Sequence, residues 1–375
     1  MNVALLCYKN IFPNKTNNRL LAYYHYLEQC GHQPHFVFIK GEGDHSGYQV
    51  KTFDSKLSII PYFGILSSLT RCFLYHLFYW RKRIIYLYDP NLFWWPLLFL
   101  FWLQGQRIIV ERTELHQVDE VKGFKANLLK RLYSFDEKRD LWPSVLITEK
   151  LMSHYHEQCT KNNSQRIKCP KKLLVPAFFE ERYFNSEPAL SEPKYVIGYF
   201  GTFGRKDNIT GILKAVQGAT NILNQLSFRF IGSVTPGVKR YTKSTFQVEM
   251  KHTPQLEYES LKDELQKCDL LISNRDGSNY SQFGFPTKLI EYLASGIPVI
   301  ATDSSEISQH FKHKEHLFLV APESHQDLQD AILERYDKFD EFNEMGIQGR
   351  KHVLANFQFQ NFQSAWGSFV LGDRA

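Results

Sequence analysis

Between Leu270 and Ile300 the chain runs from an apolar stretch, LLIS, through a polar loop into an amphipathic segment, a glycine and a second apolar stretch. That order is strand, helix, strand, and a helix of this length between two strands is the crossover that parallel pairing requires. A parallel sheet needs both faces covered, so this one unit already constrains the rest of its domain to alternate strands with helices. Inside the unit, Phe285 is pushed extended by the proline after it, and Pro286 suits the first position of a helix. The helix is expected to run to about Ser295, with Leu289, Ile290, Leu293 and Ala294 on its core side and Lys288, Glu291, Tyr292 and Ser295 on the available side. Gly296 stops it, and Ile297, Val299 and Ile300 around Pro298 begin a buried strand.

Charge placement on that helix carries information about function. Lys288 stands in the first turn, where the helix dipole disfavours a cation, and no carboxylate offsets it there. A positive helix end, its unpaired N–H groups, a lysine and the room that Gly284 leaves for close backbone approach together suit a phosphate. The alternative is a surface pair of Lys288 with Glu291 at i,i+3, although lysine before glutamate is the poorer order.

The motifs Gly284-Phe285-Pro286-Thr287-Lys288-Leu289, Glu291-Tyr292-Leu293-Ala294 and Gly296-Ile297-Pro298-Val299-Ile300 resemble those of the retaining nucleotide-sugar glycosyltransferases of glycosyltransferase family four. A branch of that family reads G-F-P-x-K-L-x-E-Y. The resemblance implies the GT-B fold: two Rossmann-like, doubly wound parallel-sheet α/β domains facing a central cleft. It also implies that Glu291 holds the ribose hydroxyls of the donor and that the residues ahead of the helix, Gly284 and Phe285, face its diphosphate, with Thr287 at the helix start also on the donor side. Phe283 stands where many members carry a second glutamate.

The rest of the chain fits two such domains. At 375 residues, 43% of them hydrophobic and 15% aromatic, it is globular and long enough for two cores. Asn2–Cys7, Phe36–Ile39, Ile84–Tyr88, Arg107–Glu111, Ser144–Thr148 and Lys172–Pro176 read as strands. Helical segments alternate with them, the first holding Leu20, Leu21, Tyr24 and Leu27 and others covering Ile65–Arg83 and Leu92–Leu103. The Pro-containing, small-residue stretch around Asn185–Lys194 is expected to be a linker, giving domains at 1–185 and 195–356 joined by 186–194. Second-domain strands are expected at Tyr195–Phe200, Phe228–Gly232, Phe246–Met250, Leu270–Ser273, Pro298–Ala301 and Leu317–Val320. The resemblance implies that a last helix within 357–375 crosses back to the first domain.

Further candidate site residues lie at the carboxyl ends of strands, where open α/β sheets place ligands. After Tyr195–Phe200 come Gly201, Arg205 and Lys206, a phosphate clamp at a helix start that Asp207 or Asn208 can cap. Arg275, with Asn274, follows Leu270–Ser273, and by the resemblance Lys251–Leu256 offers backbone contacts to the nucleobase. After Ile108–Glu111 come Glu114 and His116, one of which the resemblance puts near the transferred sugar. Asn14, Asn17, Asn18 and Arg19 lie in the loop after the first strand, the family's usual acceptor side, with a solvated turn and N-cap as the alternative.

The expected partners are a nucleotide-sugar donor and a glycan or lipid-linked acceptor, with no nucleic acid. No Asp-x-Asp pair occurs to anchor a metal, so neither metal nor other cofactor is expected. An epimerase on the same fold and a catalytically silent sugar-nucleotide-binding subunit are the rival readings. The six cysteines have no ligand-like spacing and read as reduced cytosolic thiols. The longest apolar run, Leu92–Leu103, is twelve residues, short of the roughly 20 that span a bilayer. A cytoplasmic protein is therefore expected. A net charge of +6, and basic residues at Arg81-Lys82-Arg83 and between Lys122 and Arg131, admit peripheral contact with the inner face of the cell membrane.

Overall fold

The computed structural model describes residues 1–9, 18–40, 48–52, 70–72, 74, 84–90, 94–115, 140–162, 169–179, 195–201, 207–232, 250–253 and 258–372. The chain forms two compact units, Met1–Pro176 with Phe362–Ala375, and Ala177–Asn361. Each is built on a parallel sheet, giving the two doubly wound α/β units expected. The linker expected at 186–194 lies outside the described residues.

In the first unit the elements are β1 (Asn2–Lys9), α1 (Asn18–Gln29), β2 (Gln33–Lys40), β3 (Val50–Thr52), β4 (Ile84–Tyr88), α2 (Trp95–Leu103), β5 (Arg107–Arg112), β6 (Ser144–Leu146), α3 (Glu149–Asn162) and β7 (Lys172–Leu174). The strands pair in the order β3-β2-β1-β4-β5-β6-β7, the central ones registering Val3 with Ile84 and Ile84 with Arg107. Reversal of strand order between β1 and β4 follows from the crossovers: α1 carries the chain outward to β2, and the later helices carry it the other way. The strands are apolar on both faces because helices cover both. One core joins Ala4, Leu6, Ile85, Leu87, Ile108 and Val110 to Leu97, Leu98 and Phe101 of α2. The three-residue strand β3 had no counterpart in the sequence reading, being too short to show a period.

At the carboxyl end of this sheet sits a buried polar cluster. Glu111 is fully buried and accepts from Arg19 Nε at 2.8 Å and Nη2 at 2.5 Å, from Tyr23 at 3.2 Å and from Tyr86 at 2.8 Å. Arg19 also donates to the carbonyls of Pro176 and Val175. Burial, the largest single effect, disfavours the guanidinium's charge, but Glu111 together with Tyr23, Tyr88 and Tyr86 outweighs it and holds the Arg19 pKa above the ordinary value. Burial keeps both phenols protonated, as donors. Arg19 is therefore not in a solvated loop: it lies in the first turn of α1, 4% exposed, with its guanidinium committed inward. The carboxy-terminal helix Gln363–Leu371 joins the same cluster, Trp366 stacking on Tyr23 at 4.2 Å and donating to Tyr86 at 3.2 Å.

The cysteines need a correction. Cys159, near the end of α3, is disulfide-bonded to Cys169, which precedes β7, while Cys7, Cys30, Cys72 and Cys268 are not in disulfides. The spacing of the pair matches no recognised motif; the return of the chain after α3 brings them together.

The second unit continues with β8 (Val196–Phe200), α4 (Ile209–Thr220), β9 (Ser227–Ile231), β10 (Met250–Thr253), α5 (Tyr258–Leu265), β11 (Leu270–Ser273), α6 (Asn279–Phe283), α7 (Thr287–Ala294), β12 (Val299–Thr302), α8 (Ile307–His310), β13 (Phe318–Val320), α9 (His325–Asp337) and α10 (Phe339–Asn356). The sheet order is β10-β9-β8-β11-β12-β13, again all parallel. Strand β10 begins where the expected strand Phe246–Met250 ended, so Lys251–Thr253 lie within a strand and not after it. Helix α4 forms because Asn208 accepts from Gly211 N at 3.2 Å as N-cap and because Ile209, Ile212, Leu213 and Val216 share a face. That face packs with Leu328, Ala331 and Ile332 of α9 over Ile197, Phe228 and Ile272.

Near the end of α10, His316 and His352 stack with ring centroids 4.2 Å apart. Burial pushes both below the ordinary histidine value; Lys312 lowers His316 further against the opposing pull of Glu315, and His316 lowers His352. Depressed folded values mean that the unfolded chain takes up protons first as pH falls. Their contribution to stability is thus complete above the unfolded value, about 6.5, and is lost as pH drops through it toward the folded values. The expected result is a melting temperature that falls between neutral and mildly acidic pH, with a shallower fall in His316→Asn/His352→Asn. Identical slopes for the two proteins, followed by calorimetry across pH, would rule the pair out as the cause.

Candidate active site

The site is built on the carboxyl ends of β8, β9, β11 and β12 and on the start of α7. At the end of β8, Gly201 N donates to Ile231 O at 2.9 Å, drawing the ends of β8 and β9 together. Gly201 has φ +150° and Gly232 φ +142°, and a Cβ on Gly232 would fall 1.8 Å from Gly201 O. No other residue fits there without moving the backbone. Gly232 was singled out only as a strand end, since nothing in its neighbours announces the approach of a distant carbonyl.

Over Gly201 stands Lys288, whose Nζ would lie 3.0 Å from a Cβ at that glycine. The ammonium donates to Tyr199 OH at 2.6 Å and to Asp207 Oδ1 at 2.8 Å, and it lies 4.5 Å from the centroid of the Tyr199 ring. The view that no carboxylate offsets this lysine is therefore corrected: on its own helix none does, but Asp207 arrives from the turn before α4. Asp207, free of the capping role that Asn208 takes, is 3% exposed, and burial together with Asp207 keeps the Tyr199 phenol protonated. The lysine remains 21% exposed in its side chain, so a fixed cation faces outward at a helix N-terminus.

Helix α7 begins at Thr287, with Pro286 as N-cap at ψ 92° instead of inside the first turn. Gly296 at φ +77° ends it. Tyr292 and Ser295 are buried, contrary to their assignment to the available side. Tyr292 OH accepts from Phe200 N and donates to Phe200 O, both at 2.7 Å, bolting the helix to the end of β8. Lys288 and Glu291 stay partly exposed and Thr287 is exposed.

Arg275 is 4% exposed, not a solvated loop arginine. Its Nη1 donates to Gly284 O at 3.0 Å and Ser281 O at 3.3 Å, while its backbone N donates to Thr302 Oγ1 at 2.8 Å. It fixes the segment ahead of α7. Phe285 is likewise buried, its ring 5.7 Å from His310. Gly284 has φ −94°, open to any residue, so closeness to Arg275 and not a special backbone angle distinguishes it. Asn274 donates to Asn208 O at 3.1 Å, tying the end of β11 to the cap of α4.

Within the second unit the structure thus gathers Gly201, Lys288, Gly284 and Arg275, and adds Tyr199, Asp207, Gly232 and Tyr292. Arg205, Lys206, His116, Asn14 and Asn17 lie outside the described residues, and Asn18 is described only as the first residue of α1. In the first unit Glu114 is partly exposed just beyond β5. Among the described residues no group of three or more His, Cys, Asp and Glu could hold a metal ion, and no helix is long and apolar enough to cross a membrane.

Residues 181–352 match the family model described as glycosyl transferases group 1. This part of the chain is a glycosyltransferase domain. No curated protein matches the chain in sequence. Among solved structures, sucrose-phosphate synthase from Thermosynechococcus elongatus is 17% identical with a TM-score of 0.73, the match covering 98% of each chain. HepE from Anabaena, in complex with UDP and glucose, is 11% identical at a TM-score of 0.72, covering 99% of this chain and 100% of its own. TarM from S. aureus, in complex with fondaparinux, alpha-GlcNAc-glycerol and UDP, is 14% identical at a TM-score of 0.64, and the match covers 81% of this chain but 59% of that longer protein. At such identities the likeness is one of fold.

Proposed function

We propose that this glycosyltransferase is a retaining enzyme of family four that moves a sugar from a nucleoside diphosphate to a glycan or lipid-linked acceptor, in synthesis of a bacterial surface polysaccharide at the cytoplasmic side of the membrane. The observation that carries the donor half of this reading is Lys288, a cation anchored by Asp207 and Tyr199 at the N-terminus of α7 and against Gly201. A pyrophosphate laid there meets the ammonium and the first amides of the helix, the electrostatic arrangement that stabilises a departing diphosphate. Arg205 and Lys206 follow Gly201 in sequence and are assigned to the same anion. Cationic side chains, not a metal, then neutralise the leaving group. Glu291, one turn along α7 from Lys288, takes the ribose hydroxyls. Arg275 acts on the donor through Gly284, which it positions.

In the reaction proposed, the bond from the anomeric carbon to the pyrophosphate oxygen breaks and the acceptor oxygen bonds to that carbon on the same face. The acceptor proton passes to the departing diphosphate. Glu114 or His116 lies near the sugar.

Glu291→Ala is expected to abolish transfer and to weaken nucleotide binding, hydrogen bonds to a carboxylate being worth about 1.5–3 kcal/mol each. Unchanged turnover would remove the ribose contact from the reading. A panel of nucleotide sugars screened by thermal shift should single out the donor, since a ligand at 100 times its Kd stabilises the folded state by about 2.7 kcal/mol. Nucleotide diphosphate release in the absence of acceptor would favour an epimerase-like reaction instead.

A further inference from the structure

The bridge between Cys159 and Cys169 presents its two sulfurs unequally. Cys159, near the end of α3, is fully buried, whereas Cys169 is half-buried and forms part of the wall of a groove of about 570 Å³. Met152, Ser153, His156, Glu157 and Thr160, which share one face of α3, make much of the rest of that wall. A space of this size holds a small organic molecule. Among the described residues it is Cys169, and not Cys159, that lines the groove. A reagent entering from solvent therefore reaches one sulfur only.

The bridge, 6.0 Å between Cα atoms, ties α3 to the chain just ahead of β7. Strand β7 is the outermost of its sheet and only three residues long, registering Lys172 with Ser144 and Leu174 with Leu146. So short a strand, paired on one side, is easily opened unless something holds its start. Its far end leads to Val175 and Pro176, whose carbonyls accept from Arg19. Around the reachable sulfur the groove is polar. Glu157 is paired with Lys161 and Lys172 with Asp140, each at 2.5 Å, while His156 is exposed on α3 and Lys171, also exposed, stands two residues from Cys169. Cations with a carboxylate near by suit a small thiol that carries carboxylates and an amine.

We propose that Cys169 is a site of reversible S-thiolation by a small carboxylate-bearing thiol of the glutathione class, and that the exchange releases β7. The small thiolate attacks Cys169 Sγ from the groove; a bond forms between those two sulfurs as the bond from Cys169 to Cys159 breaks. The displaced electron pair leaves on Cys159 Sγ, which takes up a proton. A second small thiolate then attacks the small molecule's sulfur in the adduct, and Cys169 departs as a thiolate and is protonated. The two small molecules leave joined as their own disulfide, having supplied the two electrons that turn the protein's bridge into two thiols. In a cytoplasm such thiols are abundant and lasting bridges are rare, so an exchangeable bond is the form expected there. The inference rests on the proposed cytoplasmic setting for its reagent and not for its geometry.

The test uses the full chain carrying Cys30→Ser, which removes the exposed thiol after α1, in buffers of graded ratio of reduced to oxidised glutathione, with adducts located by peptide mass spectrometry. As reduced glutathione rises, the adduct is expected on Cys169 and then free thiols at both positions. Given oxidised glutathione, Cys159→Ser should be modified at Cys169 about tenfold faster or more than Cys169→Ser is modified at Cys159. In the exchanged protein the Val175 amide, which donates to Leu146 O at 2.9 Å, should exchange its hydrogen about tenfold faster or more. The melting temperature should fall by about 5–10 °C. Because the reagent is supplied, the outcome does not depend on where the protein resides, and stabilisation by a nucleotide sugar should be the same with the bridge closed or exchanged. Failure of this inference is thereby separated from failure of the proposed function. A bridge that survives fully reduced glutathione, equal rates for the two serine variants, or unchanged exchange at Val175 would overturn it.

Discussion

Lys288→Ala is expected to lower kcat/KM for transfer by about 100- to 1000-fold, the usual result of deleting one fixed donor to a developing oxyanion, about 2.7–4 kcal/mol. Most of the loss should fall on kcat, because charge on the diphosphate grows as its bond to the sugar breaks. The substitution also leaves Asp207, 3% exposed, without the cation it pairs with, a cost of about 1–3 kcal/mol in stability. Lys288→Ala/Asp207→Asn separates the two effects: the double variant should regain most of the stability and none of the activity. Asp207→Asn alone keeps the ammonium but loosens its anchor, and about a tenfold fall in kcat with little change in melting temperature is the expected signature of a positioning residue. Turnover by Lys288→Ala within threefold of wild type would remove this lysine from the phosphate altogether.

Arg19→Met should destabilise the first unit by about 3–5 kcal/mol, since it strips the cation from a carboxylate with no access to water. For a unit of this size that corresponds to a fall in melting temperature of about 10 °C or more. Met retains the volume of the side-chain stem, so a cavity does not confound the result. Arg19→Met/Glu111→Gln, which removes both charges, should be markedly more stable than Arg19→Met alone, as neutral glutamine can still accept from Tyr23 and Tyr86. Because Trp366 donates to Tyr86, the damage should extend to the carboxy-terminal helix and appear there as faster hydrogen exchange. An unchanged melting temperature combined with a raised KM for acceptor would return Arg19 to the acceptor role implied by its place after the first strand.

What could be read in advance depended on the range of the interaction. Helix α7 and strand β12 were legible because local signals agree: Pro286 before the helix, Gly296 after it, and leucine and isoleucine at helical spacing. The division of α7 into faces was legible for Leu289 and Ile290 and misleading for Tyr292. A phenol at that wheel position points to water unless a backbone amide and carbonyl 92 residues away are there to meet it. Arg275 shows the same limit: a loop arginine looks solvated until the carbonyls of Ser281 and Gly284 are folded round it. The run Leu92–Leu103 revealed a helix but not that Phe99, Trp102 and Leu103 stay outside the core.

The amino-acid sequence by itself determined the alternation of strands and helices, hence parallel sheets covered on both faces, because periodicity, proline and glycine act within a few residues. It also put a lysine at a helix start where the dipole opposes it, which pointed to an anion. Only the tertiary structure decided what that lysine leans on, which glycine carbonyl blocks Gly232 from bearing a side chain, and that Arg19 serves Glu111. Those outcomes depend on groups tens of residues apart meeting in a medium where an unpaired charge or amide is costly, and no local pattern records the meeting.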